Sequence, residues 1–419
     1  MPTLDPELLS DARILAAYLI FLGSYVVFAL GTFPGLKIDR PGAAIIGAVL
    51  MVAFRIVDAR QALASIDFAT LVLLFSMMIV AGNLRLAGFF DWITAWVIGR
   101  LRPNHLLPVV IFTCGALSAF LVNDVVVLVM TPMVVQMTRR LGVPAVPYVI
   151  AVATASNIGS VATITGNPQN MLIGSLSGVP YVTFLARLGP VALAGLLVNW
   201  LVVHWATRRG AMDRVPVHAG LATPAAALRP TRLKPFVVVG LVLAGFFAGI
   251  PAAMVAAVGA ALLLITRTVD PRRVYDEVDW GLLVFFVGLF VIVGGADRAG
   301  LTAALLEPIQ AWDLHRLPIF VTATAVLSNL VSNVPAVMLL RTVVPGFPDS
   351  QFAWLVLAMA STLAGNLTVA GSVANIITVE CAAAEGVRVS FRDYLRVGLP
   401  LTIITLVLGT LWLWLEAGA

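Results

Sequence analysis

Charge is scarce in this chain: Asp, Glu, Lys and Arg make up 11% of its 419 residues, against about 25% in soluble domains. Hydrophobic residues make up 60%, and the mean hydropathy is +1.01, more apolar surface than one soluble core could hide. A soluble enzyme and a nucleic-acid binder are excluded. Cysteine is scarce too. Cys114 and Cys381 stand in separate apolar stretches, so neither a disulfide framework nor a thiolate metal cluster is available. Of the four histidines, His105, His204, His218 and His315, none falls in a predicted core, which argues against a histidine relay. No Gly-rich loop ends in Gly-Lys-Ser/Thr, so the chain is not expected to hydrolyse ATP itself, and its energy must come from an ion gradient or a separate subunit. No Lys or Arg is predicted at the centre of either half. The opening MPTLDPELLSDAR is acidic and precedes no small-residue cleavage site, so the first apolar run reads as a retained helix.

What the sequence does contain is a series of apolar runs, roughly 15 to 25 residues each, separated by short Arg-containing loops. The net charge of +5 reads as the positive-inside bias of a multi-pass membrane protein. The chain also repeats itself at a shift of about 210 residues, the signature of a duplicated transporter half. DFATLVLLFSMMIVAGNLRLAG (67–88) aligns on DWGLLVFFVGLFVIVGGADRAG (279–300), pairing Asp67 with Asp279 and Gly88 with Gly300. LSAFLVNDVV (117–126) aligns on LSNLVSNVPA (327–336), pairing Ser118 with Ser328 and Asn123 with Asn333. SNIGSVATITGNPQN (156–170) corresponds to GNLTVAGSVAN (365–375), matching Asn157 to Asn366, Gly166 to Gly371 and Asn170 to Asn375.

These features predict an all-α polytopic membrane protein with about ten transmembrane helices, two re-entrant hairpins and two interrupted helices. The N-terminal repeat covers 1–206. Its helices lie near 13–32, 42–56 and 67–87, followed by an interfacial piece to 102, a hairpin at 105–140, an interrupted helix at 145–179 broken between 157 and 168, and a helix at 188–206. A basic linker at 207–235 is predicted to be cytoplasmic. The C-terminal repeat, 236–419, has helices near 236–249, 252–266 and 280–297, an interfacial piece, a hairpin at 317–342, an interrupted helix at 352–384 and a last helix at 397–415. The odd number of crossings per half inverts one half relative to the other. The first hairpin then enters from the cytoplasm, the second from outside, and both termini lie outside.

Non-helical backbone survives at membrane depth only where it lines a cavity or is buried in protein, so polar, Gly-containing breaks in apolar runs mark the site. Four occur at matched positions: Asn123-Asp124, 156–170, Ser332-Asn333-Val334-Pro335 and 365–375. Single Ser, Thr or Asn residues often only glue helices together, but four symmetric breaks favour a shared cavity. The candidate substrate- or ion-binding residues are Asn123, Asp124, Ser156, Asn157, Thr163, Asn167, Asn170, Ser332, Asn333, Asn366, Thr368, Ser372 and Asn375. Asp124 is the carboxylate placed deep in a hairpin and is the candidate coupling residue, able to exchange a proton or to ligate a cation. Asp297, Arg298 and Arg85 are expected to reach the interface. Without a cationic group, the centre suits a neutral or weakly charged hydroxylated solute.

At these residues the sequence resembles the ion transporter superfamily over nearly its whole length. VNDVVVLVMTPMVV (122–135) resembles the hairpin of arsenical pump membrane proteins, which place an Asn-Asp pair ahead of a Thr-Pro, here Thr131-Pro132. NIGSVATITGNPQNMLIG (157–174) resembles the interrupted helix of melanocyte P-protein-like and sodium/proton antiporter relatives. GNLTVAGSVANIITVE (365–380) resembles the second interrupted helix of bacterial permeases. The resemblance implies an inverted-repeat, two-hairpin fold, often dimeric, in a bacterial-type inner membrane. It also implies efflux of arsenite or antimonite in exchange for protons, sometimes assisted by a soluble ATPase partner, with proton or sodium as coupling ion and no other cofactor. Divalent anion/sodium symporters carry Ser-Asn-Thr at each hairpin, where this chain has Val122-Asn123-Asp124 and Ser332-Asn333-Val334. That departure argues against sodium-coupled dicarboxylate uptake. Symport of a small oxyanion or dicarboxylate, and sodium/proton antiport through Asp124, remain the alternatives.

Overall fold

A computed structural model describes residues 6–32, 35–90, 92, 105–208, 233–265, 269–301, 304 and 313–417. Most of the predicted linker and both interfacial pieces lie outside these residues. The first half contains α1 (Pro6–Leu30), α2 (Arg40–Ala53), α3 (Ala59–Ser65), α4 (Phe68–Leu86), α5 (Leu106–Phe120), α6 (Asn123–Leu141), α7 (Ala145–Ser160), α8 (Pro168–Ser177) and α9 (Tyr181–Arg208). The second contains α10 (Leu233–Phe247), α11 (Ala252–Leu264), α12 (Pro271–Tyr275), α13 (Trp280–Arg298), α14 (Leu317–Val331), α15 (Asn333–Leu340), α16 (Ser350–Ala364), α17 (Val373–Ala384) and α18 (Phe391–Ala417). It is an all-α, multi-pass architecture. α1, α4, α9, α13 and α18 are each long and apolar enough to cross a bilayer unaided. α2 and α11 have 14 and 13 residues, fewer than the roughly 20 that a full crossing takes.

Capping chemistry explains why the aligned pairs recur. Asp67 accepts from the N–H groups of Ala69 and Thr70 at the start of α4, and Asp279 accepts from Leu282 N–H at the start of α13. Each carboxylate satisfies N–H groups that have no partner inside their helix. Gly88 and Gly300 end the same two helices with φ of +77° and +73°, a conformation glycine adopts without strain.

Helix packing repeats as well: α2 lies on α13 as α11 lies on α4, α7 on α5 as α16 on α14, and α6 on α17 as α15 on α8. Side-chain contacts fix which ends share a face. Asp67 meets Ser175, and Arg187 meets Glu416, so the starts of α4 and α9 and the ends of α8 and α18 lie together. Arg139 pairs with Glu385 and Arg85 with Glu277 on the opposite face. The α5–α6 hairpin opens toward that second face, whereas the α14–α15 hairpin opens toward the first, where Arg341 pairs with Asp297. At 15 residues, α5 and α14 are each about 22 Å long, so both hairpins turn back before crossing roughly 30 Å of hydrocarbon.

Four local expectations are corrected. α9 and α18 begin at Tyr181 and Phe391 rather than at 188 and 397, so Pro190 and Pro400 lie in the third turn of their helices rather than in the first. The helices extend further toward their N-termini than expected, because in a membrane bundle neighbouring groups accommodate the backbone acceptor that each proline frees. The first break spans 161–167, narrower than expected, because α7 runs through Ser160 and keeps Asn157 helical. Asn375 likewise falls inside α17. The short α3 and α12, capped by Asp58 and Asp270, were not anticipated.

Candidate functional site

The two breaks at 161–167 and 365–372 bring irregular backbone into a buried setting, and asparagine side chains take up its exposed groups. Asn167 caps α8 by accepting from Asn170 N–H at 2.9 Å, with Pro168 pre-set for the first turn. Asn170 donates both amide hydrogens to carbonyls around the first break, Ser160 O and Thr163 O, each at 3.0 Å. Asn375 does the same for the second, donating to Gly365 O at 2.7 Å and Thr368 O at 3.0 Å. The aligned pair Asn170 and Asn375 thus has one physical job, satisfying carbonyls that would otherwise be buried unpaired.

Asn157 lies between these breaks. Its Nδ2 donates to Asn366 Oδ1 and to Asn375 Oδ1, both at 2.9 Å. Its Oδ1 accepts from Asn123 Nδ2 at 3.2 Å and Ser372 Oγ at 3.0 Å. All four of its hydrogen-bonding positions are filled. One residue of the first interrupted helix therefore joins the first hairpin tip to the second interrupted helix. Asn123 N–H donates to Gly166 O at 2.9 Å, Ser156 Oγ reaches Asn123 O at 3.4 Å, and Asn366 Nδ2 reaches Thr154 O at 3.3 Å.

A second cluster adjoins it. Asn167 Nδ2 donates to Ser160 Oγ at 2.8 Å and to Thr362 Oγ1 at 3.3 Å, and Gln169 Nε2 reaches the same Thr362 hydroxyl at 3.2 Å. Thr163 Oγ1 donates to Ala119 O beside the first hairpin tip. All these side chains are buried. Among the described residues no Lys or Arg bonds to either cluster, so the polar core is built from carboxamides and hydroxyls.

Of the thirteen candidates, Asn123, Ser156, Asn157, Asn366, Ser372 and Asn375 share the first network, and Asn167 and Asn170 the second, with Thr163 tying the first break to the hairpin. The remaining four stand apart. Asp124 occupies the first turn of α6, partly buried, with no hydrogen-bond or ion-pair partner among the described residues. Thr368 offers its backbone carbonyl to Asn375, while its side chain makes no bond among the described residues. Ser332 forms the second hairpin tip with φ of +77°, a strained conformation for a residue with a Cβ. Asn333 is buried, and its Oδ1 lacks a partner among the described residues, as does Asn123 Oδ1. The two hairpin tips therefore each present one unpaired carboxamide oxygen.

Sequence reasoning did not single out Thr362, Gln169 and Ser160. Ser160 and Gln169 lie in the 156–170 motif and carry its signal. Thr362 sits in the continuous apolar run of α16, where nothing sets a functional hydroxyl apart from one that bonds its own helix. The expectations for charged residues fit the geometry: Arg85 pairs with Glu277, and Asp297 with Arg341, toward the ends of their helices.

The citrate transporter family model matches residues 25–364, and the chain belongs to that family. It is 31% identical to the silicon efflux transporter LSI3 of Oryza sativa subsp. japonica, over 92% of this chain and 95% of that protein. A Dictyostelium discoideum transporter bearing the name arsB is 26% identical, covering 89% of this chain and 87% of that one. The fold is similar to the crystal structure of the Alcanivorax borkumensis YdaH transporter, with a TM-score of 0.59 and 15% identity over 98% of each chain. The chain is a secondary transporter of the citrate transporter family.

Proposed function

We propose that this transporter exports a small, uncharged, hydroxylated metalloid acid, arsenous acid or its antimony analogue, across a bacterial-type inner membrane in exchange for protons. One observation carries the reading: the buried meeting point of the first hairpin and the two interrupted helices is polar but carries no cationic side chain among the described residues. A multiply charged anion such as citrate would have to shed its hydration there without a counter-charge, at a cost of several kcal/mol per charge. A neutral trihydroxy solute needs only hydrogen bonds, which carboxamides and hydroxyls supply in both directions. Asn123 and Asn333, each with an unpaired Oδ1, would accept from solute hydroxyls, and the Asn157 network would hold Asn123 in place.

Asp124 would couple the cycle, accepting a proton in one orientation of the hairpin and releasing it in the other. Movement of the tips between two faces would give alternating access, and the repeated packing of the halves provides two related packings. The similarity to a silicon efflux transporter favours a second solute within the same class, since silicic acid is also a neutral polyhydroxy acid. An ATPase partner and a homodimer belong to the same proposal as accessory features.

The test is proton-gradient-driven arsenite accumulation in everted membrane vesicles, run beside silicic acid, sulfate and succinate. Arsenite accumulation that Asp124→Asn abolishes is the expected outcome. Uptake of sulfate or succinate without arsenite would overturn the reading.

A further inference from the structure

A cavity of about 370 Å³ opens beside the first interrupted helix, lined in part by Ala69, Ile164, Ser175, Pro180, Tyr181 and Ile250. It lies on the face where Ser175 Oγ donates to Asp67 at 3.0 Å, away from the face toward which the first hairpin opens. From its wall a chain of three hydroxyls runs inward. Tyr181 OH lies 3.1 Å from Thr165 Oγ1, and Thr165 Oγ1 lies 3.3 Å from Thr163 Oγ1. Thr163 Oγ1 in turn donates to Ala119 O, next to the hairpin turn that holds Asn123 and Asp124. All three hydroxyl residues are buried.

A run of hydroxyls is an unusual way to join a cavity to a polar core. Each hydroxyl can donate and accept at once, so the file can be traversed by protons without passing a solute. The aligned stretch of the second half has no equivalent, since Val369 and Ala370 stand where Ile164 and Thr165 stand in the first. The hydroxyl file is thus a feature of one half only, and the repeat by itself does not call for it.

We propose that Tyr181, Thr165 and Thr163 form the proton conduit between this cavity and the first hairpin tip. The proposal rests on the antiport reading above. A hydronium ion in the cavity gives a proton to the Tyr181 oxygen as Tyr181 passes its own to Thr165 and Thr165 passes its own to Thr163; Thr163 turns its hydrogen from Ala119 O to a water molecule at the tip, which leaves as hydronium. One proton moves, no bond between heavy atoms changes, and rotation of the three hydroxyls resets the file. Tyr181 and Thr165 serve proton movement alone; solute binding does not use them.

The test uses purified full-length protein in liposomes containing a pH-sensitive dye, with arsenite as the probe. Two quantities are read: proton movement driven by an arsenite gradient, and arsenite counterflow at equal pH, which needs no net proton transfer. Tyr181→Phe keeps the ring stacked on Phe246, at 4.8 Å between centroids, and removes only the hydroxyl. Tyr181→Phe and Thr165→Val are expected to slow proton movement about tenfold or more while counterflow stays near wild type. Thr165→Ser, which restores the hydroxyl, should restore proton movement. Unchanged proton movement in Tyr181→Phe and Thr165→Val would overturn the conduit and leave antiport standing, as would a parallel loss of counterflow in all three variants. Wild-type counterflow without any proton movement would overturn antiport and the conduit together.

Discussion

Asn157 fills its donor and acceptor positions with Asn366, Asn375, Asn123 and Ser372. Replacing it with alanine strands several buried polar groups at once, each worth about 1–3 kcal/mol when left unpaired. Asn157→Ala is therefore expected to lower the thermal unfolding temperature in detergent by more than Asn83→Ala, whose side chain among the described residues bonds only its own helix at Ile79 O. Equal unfolding temperatures would contradict the hub role. Most of this network was legible as residue types: in an apolar chain, Asn and Ser beside Gly announce a break. Its wiring was not, because the aligned Asn157 and Asn366 have different jobs, one a saturated bridge and the other a partner of it. Thr362 was hidden for a related reason, since a hydroxyl inside an unbroken helix leaves no pattern in the sequence.

Among the elements, α5 and α7 approach until backbone meets backbone, and a Cβ on Gly159 would lie 2.1 Å from Gly115 O. Gly288 holds α13 against α2 in a similar way, with Ala44 O 2.5 Å from where a Cβ would stand. Gly159→Ala must push the hairpin from the interrupted helix, at a cost of roughly 1–3 kcal/mol or more. Size-exclusion profiles of the detergent-solubilised variant should show loss of the monodisperse peak, whereas Gly240→Ala, which meets no atom within 4 Å, should behave as wild type. Ser332 offers the opposite case. Its φ of +77° suits glycine, so Ser332→Gly is expected to raise the unfolding temperature, by about 1 kcal/mol of relieved strain, even where transport falls. An unchanged or lower temperature would mean that contacts of the Ser332 hydroxyl outweigh the strain. Helices and breaks could be placed from the apolar runs and their interruptions, and the errors fell at element ends, as where α9 and α18 start at Tyr181 and Phe391.

Across the whole molecule, the packing pairs exchange when elements of one half are swapped for those of the other, and the two hairpins open toward opposite faces. Arginine placement predicts that the face carrying Arg139 and Arg140 is cytoplasmic. In a background with Cys114 and Cys381 replaced by alanine, Arg140→Cys should react with a membrane-impermeant maleimide in everted vesicles and Arg316→Cys in right-side-out ones. Labelling of both from one side would contradict the opposed hairpins. The duplication could be seen in the sequence because the matched segments keep their caps and breaks. The hydroxyl file from Tyr181 was invisible there, since its residues come from a break and from the start of α9, beyond α8, and only the fold aligns them.

The most direct measurement of the proposed site is equilibrium binding of arsenite to purified protein, wild type against Asn123→Ala, with thermal unfolding as the check on folding. The Asn123 carboxamide presents an unpaired buried oxygen at the tip, while its backbone N–H keeps its bond to Gly166 O. The expected result is binding weakened about tenfold or more in a variant that unfolds close to the wild-type temperature, the scale of one lost hydrogen bond to a buried partner. Unchanged affinity in that folded variant would contradict the placement of the solute at the first hairpin tip.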